Sequence, residues 1–240
     1  MILDLLRLIK DGGGFFSVLF MLVMFALLIF VVLPFHEFAH AFVAVKLGDP
    51  TPKWRNRMTL NPLAHLDPVG TLMMLVCGFG FAKPVPVNPA NFERPKKGMA
   101  LTALAGPASN LVLAFLGVAA FRLIGIPLGL KVDDGGVWAT IPEYQGILAI
   151  LRLVLVDVFA SINLGLAVFN LLPIFPLDGS HIIAPLLPDK VNWWIERNQQ
   201  VLMLALLVLI VSPALNAPLS WMIHLVGYVV CLPLGLPNLF

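Results

Sequence analysis

Charge is scarce in this chain. Lys, Arg, Asp and Glu make up 12 % of its 240 residues, while 60 % are hydrophobic; soluble domains carry about 25 % charged residues. That balance excludes an ordinary soluble domain and describes an integral membrane protein whose side chains mostly face lipid or other helices. The net charge of +2 is too small to hold a nucleic acid. Cysteine is nearly absent: Cys77 and Cys231 stand in apolar surroundings, with no C-x-x-C spacing, which excludes a disulfide framework and a thiolate metal site. No internal repeat and no low-complexity tract occurs, and no G-x-S-x-G offers a serine nucleophile.

What the chain has instead is long apolar runs broken by proline. Residues 1–14, with Arg7 and Lys10 among leucines, read as a short amphipathic lead-in at the membrane interface. The apolar run 15–47 is too long for a signal peptide and is expected to be retained. As a helix it would reach about 50 Å against a hydrocarbon core of about 30 Å, so a kink is expected at Pro34. The apolar piece 68–81 is too short to span and is flanked by two basic stretches. Lys46, Lys53, Arg55 and Arg57 outnumber Asp49 on one side; Lys83, Arg94, Lys96 and Lys97 outnumber Glu93 on the other. Short basic loops favour the cytoplasm, so the piece between them should dip in and return, with Lys83–Val87 as an extended edge. Residues 98–126 and 147–172 read as spans joined by an acidic loop, and the runs 191–212 and 217–236 as two further spans or a hairpin.

The apolar run 15–47 contains Phe35-His36-Glu37-Phe38-Ala39-His40. Ionisable groups inside a membrane segment are costly and mark function. On a helix, His36 and His40 share one face and can aim ring nitrogens at one metal ion, with Glu37 beside it; this is the H-E-x-x-H pattern of zinc peptidases. Two histidines leave a catalytic zinc short of a third protein ligand. Asp178 is the best candidate, because Pro173 and Pro176 break the helix before it, at the same end of the bundle. Zinc there would activate a water, and Glu37 would take its proton and pass it to the leaving amine.

These residues resemble the site-2 protease family of intramembrane zinc metalloproteases. The resemblance rests on His36-Glu37-Phe38-Ala39-His40, on the small-residue segment Gly106–Asn110, and on Asn170–Gly179, which reads N-x-x-P-x-x-P-x-D-G. Residues 61–71 (NPLAHLDPVGT) and 83–92 (KPVPVNPANF) are similar to the compact branch that lacks PDZ and nucleotide-sensing domains. The resemblance implies His36, His40 and Asp178 as ligands of one zinc ion, Glu37 as catalytic base, and Asn170 as a residue that helps hold the substrate backbone or the active-site geometry. It implies a transmembrane protein as substrate, paired along an edge near the 83–87 stretch.

His65 and His181 are possible accessory residues; His65 reads equally well as a hydrogen bonder that ties its loop. His224 reads as packing, and Asp157 as a structural hydrogen bonder. The expected fold is an all-α polytopic membrane protein, a bundle of about 5–6 transmembrane helices with a re-entrant segment after the first catalytic helix. Residues 1–240 form one membrane domain, its core over about 15–185 and its C-terminal helices over about 191–236. The expected location is the cell membrane, multi-pass, with the active site toward the cytoplasm. The competing expectation is a non-catalytic, zinc-dependent binding or transport module. Glu37 speaks against it, since a structural zinc site needs no base and closes its fourth position.

Overall fold

The computed structural model describes residues 15–77, 80–123, 129–133, 136–140, 153–235 and 239. The lead-in 1–14, the facing ends of the 98–126 and 147–172 spans and parts of the acidic loop between them lie outside the described residues.

The opening apolar run is helical but changes its winding. Helix α1 (Phe15–Leu27) passes through a π-helical stretch, Leu28–Val32, into α2 (Leu33–Lys46), with Pro34 in its first turn. A proline has no N–H to donate, and its ring crowds the carbonyl four residues back, here that of Phe30. The wider i→i+5 turn relieves this: the Leu33 N–H bonds the Leu28 carbonyl. The kink expected at Pro34 is thus spread over the preceding turn, and residues 36–40 run in regular helix.

Helix α2 ends at Gly48, whose φ of 107° few side chains tolerate. Asp49 follows, fully buried. Its Oδ1 accepts from the Thr51 amide (3.1 Å), the Thr51 hydroxyl (2.5 Å) and the Asn91 amide (2.6 Å), and its Oδ2 from the Asn88 amide (2.7 Å). One carboxylate thus fastens the end of α2 to the 88–91 loop. Burial opposes its ionisation, but the bonds from Thr51, Asn91 and Asn88 outweigh this and hold its carboxyl below the usual range. Asp49→Ala should therefore cost about 2–3 kcal/mol, since donors on Thr51, Asn88 and Asn91 lose one buried, charged acceptor at once. Because the folded pKa is depressed, this contribution is complete above about pH 4 and fades as pH falls through the lower folded value. Thermal midpoints in detergent at pH 7 and below pH 4 check this: a wild-type to mutant gap that does not narrow in acid refutes it.

Short helices α3 (Thr51–Trp54) and α4 (Pro62–His65) follow, then α5 (Pro68–Cys77). The buried Arg57 guanidinium donates to the carbonyls of Ala64, Lys83 (3.2 Å) and Pro84 (3.1 Å). Helix α5, at 10 residues, is too short to cross, and the chain comes straight back along it. A Cβ on Gly70 would fall 2.0 Å from the Phe81 carbonyl oxygen, and one on Gly80 2.1 Å from that of Gly70. This is the expected re-entrant turn, built on glycines that let two backbones touch. The 83–87 stretch joins no strand ladder. The Lys83 N–H bonds the His65 carbonyl at 2.8 Å, while Val85 and Val87 have no backbone partner among the described residues.

Helix α6 (Pro95–Leu123) is the longest helix. Beyond it lies a feature the sequence reading did not anticipate, a hairpin of β1 (Gly129–Asp133) and β2 (Gly136–Thr140), antiparallel with Gly129 opposite Thr140. A second π-helical stretch, Leu153–Ala160, leads into α7 (Ser161–Leu171). Then come α8 (Asp178–Ile183), α9 (Asp189–Arg197), α10 (Gln199–Val211) and α11 (Asn216–Cys231). Four helical segments among the described residues are long and apolar enough to cross a membrane: Leu22–Lys46, Pro95–Leu123, Val154–Leu171 and Pro213–Leu234. Gln199–Ile210 is apolar but shorter. Apart from the β1–β2 hairpin, the described elements are all helical, and the chain is a polytopic membrane protein of the all-α class.

Helix α6 is the hub, packed on α2, α7 and α8. Lipid removes most of the hydrophobic drive between helices, so close packing of small residues matters more. Ala41 and Ala44 of α2, Ala103, Ala105, Gly106, Ala114 and Gly117 of α6, and Ala160 and Ala167 near α7 are all buried. Ala114, Val118, Leu164 and Val168 meet Val230 and Cys231 of α11 in one cluster.

Candidate metal centre

His36 and His40, one turn apart on α2, both point at α6, and both are buried (5 % and 8 % exposed). Asp178 reaches them from a different part of the chain. Proline at 173 and 176 ends α7, and tight turns follow: the Ile174 N–H bonds the Leu172 carbonyl and the Leu177 N–H that of Ile174, both at 2.8 Å. Asp178 then opens α8. Gly179 makes the return possible, because a Cβ there would sit 2.2 Å from the Leu172 carbonyl oxygen and 2.5 Å from that of Leu171.

Three ligand atoms converge. His36 Nε2 lies 3.1 Å from His40 Nε2, and Asp178 Oδ2 lies 3.2 Å from the first and 3.4 Å from the second. In a tetrahedral zinc site with bonds of about 2.0–2.1 Å, the ligands stand about 3.4 Å apart, so the triangle has the size that zinc needs. Asp178 Oδ2 is moreover buried and, apart from the two imidazole nitrogens, has no hydrogen-bond partner among the described residues, as suits an atom whose lone pair serves a cation. Burial opposes ionisation of Asp178, but the two imidazoles outweigh it and hold the carboxyl below its ordinary range. The donor set of two imidazoles and one carboxylate suits zinc and leaves a fourth position open.

The histidines are held from behind by α6. His40 Nδ1 donates to the Thr102 carbonyl at 2.7 Å. His36 Nδ1 lies 3.1 Å from the Asn110 side-chain amide. Between them, Gly106 places bare backbone against both rings: a Cβ there would lie 2.4 Å from His40 Nε2 and 2.6 Å from His36 Cε1. The sequence marked this segment only for small residues; the contact to the rings depends on how two antiparallel helices are registered, which neither helix encodes alone.

The centre faces a cavity of about 630 Å³. Glu37 lines it, only 8 % exposed, and has no hydrogen bond or ion pair among the described residues. Asn170 and His181 line the same cavity, as do Val85 and Val87 of the re-entrant segment and Met203, Leu206 and Leu207 of α10. Asn170 donates one amide hydrogen to the Leu166 carbonyl (3.1 Å). Burial pushes His181 below its ordinary pKa, against a smaller opposing pull from Asp178, which favours a neutral ring. His65 is not in the cavity wall; it is buried in its loop and donates from Nε2 to the Thr59 carbonyl at 2.8 Å. His224 lies on an exposed face of α11 and Asp157 is exposed in the second π-helical stretch.

Among the described residues, four helices able to cross a membrane and a buried site sized for zinc define a class, the multi-pass membrane metalloproteases. The profile of peptidase family M50 matches residues 24–212, and the chain belongs to that family, the site-2 proteases, and is a zinc metalloprotease. It is 40 % identical over 179 residues to YwhC of Bacillus subtilis, named as a candidate zinc metalloprotease, covering 74 % of this chain and 75 % of that one. It is 31 % identical over 196 residues to Rip2 of Mycolicibacterium smegmatis, which bears the same kind of name, covering 80 % of this chain and 66 % of the relative. Rip2 of Mycobacterium tuberculosis is 31 % identical over 185 residues, covering 75 % of this chain and 64 % of the relative. No solved structure matches.

Proposed function

We propose that the chain is an intramembrane zinc endopeptidase of the cell membrane, a single membrane domain that hydrolyses peptide bonds in or near transmembrane segments of other membrane proteins. The observation that carries this reading is Glu37, a carboxylate with no hydrogen-bond or ion-pair partner among the described residues, which lines the same cavity as the three convergent atoms. His36, His40 and Asp178 are the zinc ligands. Zinc held there supplies Lewis acidity, making water a nucleophile near neutral pH and polarising the scissile carbonyl. Glu37 takes the proton of the attacking water and returns it to the leaving nitrogen as the C–N bond breaks.

The cavity wall supports a way to present the substrate. Among the described residues, the backbone groups of Val85 and Val87 and the Asn170 carboxamide oxygen have no partner, which leaves them able to bond a substrate backbone. An unwound stretch of substrate can hydrogen-bond along this edge as an added strand. A neutral His181 can donate to the carbonyl under attack. The basic loops that flank α5 support an active site toward the cytoplasm.

The test is cleavage of a model single-span protein co-reconstituted with the full chain in liposomes, the cut mapped by mass spectrometry. A cut within the span, in its cytoplasmic half, is expected. A zinc-loaded protein that cuts only water-soluble peptides, or cuts spans only outside the bilayer, refutes the reading.

A further inference from the structure

The two histidines are not supported alike, and the difference points to a residue with an unassigned role. A histidine that gives Nε2 to a metal carries its remaining proton on Nδ1, and that N–H needs an acceptor to fix the tautomer and the ring. His40 has one, the Thr102 carbonyl at 2.7 Å. His36 Nδ1 instead faces Asn110 Nδ2 at 3.1 Å, and an N–H meeting an NH2 group sets donor against donor. The Asn110 carboxamide oxygen meanwhile is buried with no partner, on a residue with no solvent exposure. Two mismatches thus sit on one side chain.

A half-turn of the carboxamide removes the first, the meeting of two donors at the ring. Its two ends have nearly the same shape, so hydrogen bonding decides which faces the ring. We propose that Asn110 is the positioning residue of the metal centre, presenting its side-chain oxygen to the His36 Nδ1–H so that Nε2 is free for zinc. The NH2 group then takes the place of the partnerless oxygen. This rests on the reading of His36 as a zinc ligand.

The register of α6 supports the assignment. Thr102, Gly106 and Asn110 are successive fourth residues, one above another on one helix face. Because α2 packs antiparallel, His40 meets Thr102 and His36 meets Asn110, with Gly106 between them against both rings. One stripe of α6 therefore serves both ligands: an acceptor, a gap, an acceptor. Thr102 uses its main-chain carbonyl, and at the other end the acceptor has to come from a side chain. Of the residues that fit there, only one with an acceptor oxygen does the work.

The test compares zinc affinity, by chelator competition on the full-length protein in detergent, for wild type, Asn110→Leu, Asn110→Asp and His36→Ala. Loss of a partner that orients a ligand typically weakens metal binding 10–100-fold. Asn110→Leu, which keeps the bulk and removes the acceptor, should weaken zinc by that factor, and Asn110→Asp, which keeps an acceptor, should stay within a few-fold of wild type. Asn110→Ala replaces the leucine variant should that one fail to fold. If Asn110→Leu or Asn110→Ala binds zinc as wild type does, or Asn110→Asp falls as far as they do, the proposal is overturned. If His36→Ala leaves zinc affinity unchanged, the ligand reading itself fails and this proposal with it. A loss in His36→Ala but not in the Asn110 variants overturns this proposal alone.

Discussion

Glu37→Gln is expected to retain zinc and to cleave a transmembrane substrate about 10²–10⁴-fold more slowly, the range that general acid–base catalysis supplies. Glutamine keeps the shape and removes the proton acceptor. The separation of the two effects follows from the geometry: the atoms close enough to share a metal ion are on His36, His40 and Asp178, while Glu37 lines the cavity beside them with no hydrogen bond to any of them among the described residues. Loss of a ligand should instead lower zinc content and activity together. Initial cleavage rates and zinc stoichiometry measured on the same preparations make the distinction. A zinc-loaded Glu37→Gln that cleaves within tenfold of wild type removes Glu37 from the mechanism.

Gly106→Ala is the second large expectation, and it tests the backing of the site. The added methyl would begin 2.4 Å from His40 Nε2, 2.5 Å from His40 Cε1 and 2.6 Å from His36 Cε1, about 1 Å inside the closest comfortable carbon contact. Neither ring can step aside, because each is bonded to α6 one turn above or below, through Thr102 or Asn110. Either α2 and α6 separate or the imidazoles turn, and both spoil the triangle of ligand atoms. Zinc affinity should fall by more than about 100-fold, and cleavage with it. The sign excludes a trivial cause, since alanine is the better helix former by about 1 kcal/mol. Wild-type zinc affinity in Gly106→Ala would mean that α6 does not press on the site as described.

Much of this arrangement was legible before the structure. His36, Glu37 and His40 stand out because helical periodicity puts the two rings on one face, and because ionisable groups are costly where they sit. The re-entrant segment was legible from two basic flanks around an apolar piece too short to cross. Asp178 followed from prolines that end a helix at the matching end of the bundle. What could not be read depends on contact between distant elements. The Gly106 approach, the support from Thr102 and Asn110, and the Asp49 anchor all require knowing which turn of one helix faces which turn of another. The π-helical winding ahead of Pro34 was also hidden: proline announces a conflict with the preceding turn, but several backbone adjustments can relieve it. The β1–β2 hairpin left only a short signal, since Leu130, Lys131, Val132 and Asp133 alternate while Val137, Trp138 and Ala139 of β2 do not.

On the proposed function, the cavity walled by Met203, Leu206 and the re-entrant edge is small beside the transmembrane helix it would receive. A helix about 10 Å wide that rises 1.5 Å per residue takes roughly 120 Å³ per residue, so about 630 Å³ accommodates some five residues, whereas a span needs about 20. Most of a substrate must therefore stay in lipid while a short stretch leaves its helix. In lipid that means giving up several backbone hydrogen bonds with no water to replace them. The ease of melting one turn, set by glycine, proline or a polar side chain near the cut, would then weigh more in the choice of substrate than any sequence read residue by residue.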